Sequence, residues 1–195
     1  YRDYCLHAVY EDGSHVTDLR FVSYEVKEGK YALEGLPAMY QGEEKAETLE
    51  ITLRDEYKNL EVVLYYGVFE DLDVITRACK IVNQSKEQVR LLRAYSMGLD
   101  FDNKDMDMLH FYGRHAMERK MERSPLQHGF QGVESRRGYS SHQQNPFVIL
   151  CKQDANEEYG WCYGASFAYS GNFSIQAEVS QMDLTRLTVG IQDTQ

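Results

Sequence analysis

Leu49-Glu50-Ile51-Thr52-Leu53 places an apolar side chain at every second position. That is the period of a β-strand with one buried and one wet face, not the 3.6-residue period of a helix. The same grammar extends in both directions. Upstream, residues 20–26 run into the turn-forming Lys27-Glu28-Gly29-Lys30, and residues 4–10 run into Glu11-Asp12-Gly13-Ser14. Downstream, residues 60–69 and 74–82 read as a pair of strands closed as a hairpin by Asn83-Gln84-Ser85-Lys86. Residues 89–99, 106–111, 147–151, 159–169, 173–179 and 184–191 continue the series.

Fifteen tyrosines and eight phenylalanines, mixed with β-branched residues in short runs, favour strands throughout. About a dozen short strands separated by polar turns predict an all-β fold, a large two-sheet antiparallel β-sandwich. Residues 114–120 are the best place for a helical interruption, with Met117 and Met121 spaced i,i+4. Residues 123–145 carry Gly129, Gly132 and Gly138 among serines and glutamines without sustained periodicity, and read as a long loop.

A length of 195 residues, with 43% hydrophobic and 27% charged residues, suits one large globular domain. The formal charge of −10 opposes non-specific attachment to nucleic acid or to an anionic membrane. No apolar run approaches the roughly 18 residues of a membrane-spanning helix. Cys5, Cys79, Cys151 and Cys162 are widely spaced inside apolar, strand-like runs. Reduced, buried thiols in a cytoplasmic protein are therefore expected, with disulfides or zinc as the alternative.

Chemistry-bearing clusters are sparse. Paired carboxyl groups on one face can serve as general acid and base or as nucleophile. Asp71 with Asp73, and Asp105 with Asp107, would share a strand face, but among 31 acidic residues such pairs are expected as turn and surface groups. His7, His15, His110, His115, His128 and His142 lack the H-x-H or H-E-x-x-H spacing of a metal site, and no metal is expected. Ser140-Ser141-His142 sets hydroxyls beside an imidazole without the third, orienting group of a triad. Arg114, Arg119, Lys120, Arg123, Arg136 and Arg137 form a locally basic series that Glu118, Glu122 and Glu134 are placed to offset. Trp161, flanked by Tyr159 and Tyr163, could stack a sugar ring, but its alternation with Gly160, Cys162 and Gly164 reads rather as strand packing.

Several stretches, in order and spacing, resemble the amino-terminal domain of glycoside hydrolase family 36 α-galactosidases. They are Gly35-Leu36-Pro37-Ala38, residues 46–53, Val68-Phe69-Glu70-Asp71-Leu72-Asp73 with the four residues after it, and Glu122-Arg123-Ser124-Pro125-Leu126. Glu134-Ser135-Arg136-Arg137-Gly138, residues 140–147 and Tyr169-Ser170-Gly171-Asn172-Phe173 complete the set. The resemblance departs at Tyr112-Gly113-Arg114-His115-Ala116, where the family usually has a tryptophan after a glycine, and at Gly160-Trp161-Cys162-Tyr163.

The resemblance implies a supersandwich like that of galactose mutarotase. Residues 1–195 would be a single domain, lacking its first strands upstream and a catalytic (β/α)₈ barrel downstream. The barrel, not this chain, would supply two aspartates that release terminal α-linked galactose, with retention, from sugars such as melibiose and raffinose. The expected partners are α-galactoside oligosaccharides through the parent enzyme, the barrel itself and further copies in a homo-oligomer, with no nucleic acid, membrane or cofactor. Arg137, His142 and Asn145 are the expected loop-ordering groups facing barrel or subunit. The alternatives are a stand-alone carbohydrate-binding module and a mutarotase-type epimerase using His and Glu.

Overall fold

The computed structural model describes residues 5–192. Position 4, with which the first expected strand begins, lies outside them. The described residues form β1 (Leu6–Tyr10), β2 (Arg20–Glu28), β3 (Glu47–Asp55), β4 (Leu60–Phe69), β5 (Val74–Asn83), β6 (Val89–Phe101) and β7 (Met106–Arg114). β8 (Met117–Pro125), β9 (Gly129–Ser135), β10 (Gln144–Lys152), β11 (Cys162–Ser166), β12 (Phe173–Val179) and β13 (Thr185–Gln192) follow. A single 3₁₀ turn, Glu70–Leu72, is the one helical element among them. The pairings are antiparallel, and the protein is all-β as its strand grammar predicts.

The chain divides into two compact units, one of them Leu6–Ser96. In this unit β2-β3-β4-β5 form a meander, and β1 pairs with the first part of β6. β3 and β4 pair without interruption from Glu47↔Val68 to Asp55↔Leu60, so the stretch 49–53 is a strand as its alternation predicts, and an inner one. Its two faces are not sharply divided, because Leu49, Ile51 and Leu53 are half-buried and so are Glu50, Thr52 and Arg54. Ion pairs cover the polar side: Lys27 to Glu50 at 2.8 Å and Arg54 to Glu61 at 2.7 Å. Ala8, Tyr10 and Leu60 form the buried centre, packed by Leu6, Ile81 and Val89.

The turn that closes the β4–β5 hairpin is not residues 83–86 but the 3₁₀ turn, which Asp73 ends in the left-handed conformation at φ 51°. Asp71 and Asp73 therefore do not share a strand face. The Asn83-Gln84-Ser85-Lys86 turn instead leads on toward β6, its Ser85 N–H bonding Asn83 Oδ1 at 3.0 Å.

The second unit holds Cys5 and the residues from Met97 onward. One sheet runs from the end of β6 through β13 and β12 to β9, and the other is β11-β10-β7-β8. On β12, Phe173, Ile175, Ala177 and Val179 alternate inward and are at most 3% exposed, with Leu187 and Val189 of β13 beside them. Met106, Met108, Val148, Leu150 and Ala165 of the other sheet close the same core. Burying such a set supplies most of the drive for sheet-on-sheet packing, at about 1.5–3 kcal/mol per large side chain.

Two expectations are corrected here. Residues 114–120 are no helix but the tip of the β7–β8 hairpin, where cross-strand pairing from Asp107↔Pro125 to Arg114↔Met117 outweighs the weak i,i+4 methionine pattern. Residues 123–145 are not one loop, since they end β8 and contain β9. Of the β9 side chains Val133 alone is deeply buried. Gly132 lies where a Cβ would collide with the Ile175 carbonyl oxygen, so the missing side chain permits the strand approach.

Asp55 is 2% exposed. Its Oδ1 accepts the N–H groups of Tyr57 at 2.9 Å and Lys58 at 3.0 Å, and its Oδ2 accepts that of Asp18 at 2.7 Å. Burial alone would raise its pKa, but these backbone N–H bonds, aided by the Lys58 charge, outweigh burial and hold it below 3.8. A carboxyl depressed in the folded state stabilises fully above its unfolded value and loses that contribution as pH falls through its folded value. Asp55→Ala is expected to cost about 2–3 kcal/mol in urea unfolding at neutral pH. The gap to the parent chain should narrow below pH 3.8.

Candidate functional site

An open groove of about 530 Å³ lies in the second unit, between the tip of the β7–β8 hairpin and the β9–β10 loop. Gly113, Arg114, His115 and Glu118 form one wall, and Ser141, His142 and Gln143 the other. The hairpin wall turns through Ala116, a non-glycine residue at φ 61°, whose N–H donates to Glu118 Oε1 at 2.9 Å. Gly113 allows the close return, because a Cβ there would strike the Met117 carbonyl oxygen. Arg114 Nη2 contacts Met117 Sδ at 3.2 Å rather than a carboxylate.

The opposite wall is held from beneath. Gly138, at φ 84°, donates its N–H to Asn172 Oδ1 at 2.6 Å, and Asn172 is 7% exposed. Ser140 N–H bonds Ser170 O at 2.8 Å, and Ser135 Oγ bonds Tyr139 O at 2.6 Å. Residues 136–143 are thus an ordered loop rather than a loose excursion.

The structure gives the three expected loop residues different surroundings. Arg137 donates from Nη1 to Gln143 Oε1, tying the two arms of the loop together. Asn145 donates from Nδ2 to Phe111 O at 3.2 Å, joining the start of β10 to β7. His142 lines the groove. The groove thus contains His142 together with His115, Arg114 and Glu118, a set that no sequence spacing marks because its members lie on opposite walls.

The other sequence candidates disperse. Asp107 is bound by Arg123 Nε at 2.6 Å, while the Asp105 N–H caps onto Asn103 Oδ1. Arg136 meets Glu134 at 3.6 Å, as expected of the basic series, but Arg123 takes Asp107 rather than a neighbouring glutamate. Trp161 is not strand packing: it is 68% exposed, with Tyr159 at 60%, because it sits on the β10–β11 connection before β11 begins at Cys162. Cys162 is exposed and Cys151 buried, with no disulfide among the described residues, so the expectation of uniformly buried thiols is corrected. Among the described residues, no group of three or more His, Cys, Asp or Glu could hold a metal ion.

The family model for the glycosyl hydrolase family 36 N-terminal domain matches residues 1–195. The chain belongs to that family. It is 49% identical over 193 residues to the bifunctional alpha-galactosidase/sucrose kinase AgaSK of Mediterraneibacter gnavus, covering 99% of this chain and 21% of that protein. Over 182 residues it is 50% identical to the alpha-galactosidase AgaA of Geobacillus stearothermophilus, covering 93% of this chain and 25% of the relative. The crystal structure of AgaA superposes with a TM-score of 0.94 at 47% identity, over 98% of this chain and 27% of that one. This family 36 domain thus spans about a quarter of the relatives' length.

The hairpin wall of the groove can be tested by substitutions of opposite sign. Gly113→Ala should lower the thermal midpoint by forcing the strands apart. Ala116→Gly should leave it unchanged or raise it, relieving a left-handed alanine worth about 1 kcal/mol. Calorimetric melting of both variants checks the pair.

Proposed function

We propose that this domain is the non-catalytic amino-terminal part of a retaining α-galactosidase. The whole enzyme removes terminal α-linked galactose from oligosaccharides such as melibiose and raffinose. The carrying observation is extent: the family match fills the chain, yet the chain accounts for only 21–25% of the first two α-galactosidase relatives. The groove adds support, because Glu118 is the one carboxylate among the described residues that line it, whereas retaining hydrolysis needs two about 5–5.5 Å apart. A variant of the related AgaA has been crystallised with raffinose, which supports that substrate class.

In this proposal residues 1–195 act as one domain that packs on a catalytic barrel and takes part in oligomer assembly. Arg137 holds the β9–β10 loop in shape, Asn145 ties the start of β10 to β7, and His142 is presented toward the barrel or a neighbouring subunit. The enzyme works in the cytoplasm, where free cysteines such as these stay reduced.

A second reading, a sugar-binding module, is favoured by the exposed Tyr159 and Trp161 rings, since exposed aromatic faces stack on sugars. The two are separated by assay. Joined to its downstream sequence, the domain should support cleavage of an aryl α-galactoside, and the chain alone should give none. Calorimetric titration of the chain alone with galactose should show no heat; binding lost in Trp161→Ala would instead favour the module.

A further inference from the structure

Cys151 and Cys162 are direct partners across the antiparallel β10–β11 pair. Directly opposed residues project to the same face of a sheet. The next pair toward the connection is bridged by the Lys152 N–H, which donates to Trp161 O at 3.1 Å. Hydrogen-bonded and non-hydrogen-bonded pairs alternate along an antiparallel ladder, so Cys151 and Cys162 occupy a non-hydrogen-bonded position. There the Cα atoms approach to about 4.5 Å and the side chains are closest. A disulfide needs a Cα separation of roughly 4.4–6.8 Å.

We propose that Cys151 and Cys162 form a reversible cross-strand dithiol that a peroxide or a small disulfide oxidises to a disulfide. The environment divides the labour. Cys162 is exposed and meets the oxidant, while Cys151 is buried and resolves the product. Burial pushes the Cys151 thiol up, and the Arg123 guanidinium offsets only part of that rise. Arg123 is itself fixed, donating to Asp107 Oδ2 at 2.6 Å, Ala155 O at 2.7 Å and Gln153 O at 2.8 Å. It thereby fixes a positive charge where β10 runs into the β10–β11 connection.

With hydrogen peroxide, the Cys162 thiolate attacks one peroxide oxygen, the O–O bond breaks, and the departing hydroxide takes a thiol proton to become water. The Cys151 thiolate then attacks Cys162 Sγ and expels the hydroxyl as a second water. Two thiols give two electrons and two protons, and peroxide is reduced to two waters. The new bond closes a ring around the connection that carries Tyr159 and Trp161, binding edge strand β11 covalently to β10.

The test uses the full-length protein, treated with excess hydrogen peroxide, alkylated and digested with trypsin. Lys152 separates the two cysteines into different tryptic peptides. The expected result is one linked peptide pair that a reducing agent dissolves. Cys151→Ser should leave Cys162 trapped by dimedone as a sulfenic acid, and Cys162→Ser should leave Cys151 a free thiol, alkylated once the protein is denatured. Independent alkylation of both thiols, under conditions that oxidise an unstructured cysteine peptide, would overturn the proposal. Conversion of Cys162 to a sulfinic acid beside an unmodified Cys151 would do the same.

Discussion

The second unit depends on the inward face of β12, where Phe173, Ile175, Ala177 and Val179 are almost wholly removed from water. Close packing leaves that face no alternative register, because a one-residue slip would turn Ser174, Gln176 and Glu178 toward Val148 and Leu150. With the register set, β9 pairs at Ile175↔Val133 and β13 at Ile175↔Val189. The glycine at position 132 then follows from the Ile175 carbonyl oxygen passing where a side chain would be. Both walls of the groove emerge from this assembly. The β9–β10 loop leaves β9, and the hairpin tip ends a strand pair whose other end, Met106 and Met108, is rooted in the core.

Where alternation coincides with burial, the strands are legible in the sequence. β12 is read to the residue, and β13 differs from its expected range by one position at each end. The stretch 49–53 is read correctly as strand but not in its burial, since flanking strands and ion pairs half-cover both faces. The misread segments lack local markers. Ala116 takes a left-handed turn that neither glycine nor asparagine announces. β9 has one deeply buried side chain, too little for a period to show. Trp161 is a residue whose surroundings are set by where β11 starts, which neighbouring glycines do not reveal.

The candidate site divides in the same way. Sequence singles out Arg137, His142 and Asn145 along one segment, but only Arg137 and His142 lie on the ordered β9–β10 loop, Asn145 being on β10. The facing wall, with Arg114, His115 and Glu118, comes from a hairpin whose sequence suggests a helical interruption. Cross-strand neighbours such as Cys151 and Cys162 are invisible until pairing is known, because strand order is fixed by tertiary burial rather than by local pattern.

The second unit closes two sheets over one core and carries an ordered loop and a groove in which, among the described residues, Glu118 is the single carboxylate. Retaining hydrolysis passes through a sugar bonded to a carboxylate, so the residue doing the chemistry can be marked. The most direct measurement is peptide mapping of the full-length protein after reaction with a galactose-configured covalent inactivator. The modified carboxylate should lie beyond residue 195. A stoichiometric, activity-abolishing label on an aspartate or glutamate within residues 1–195 would contradict the account.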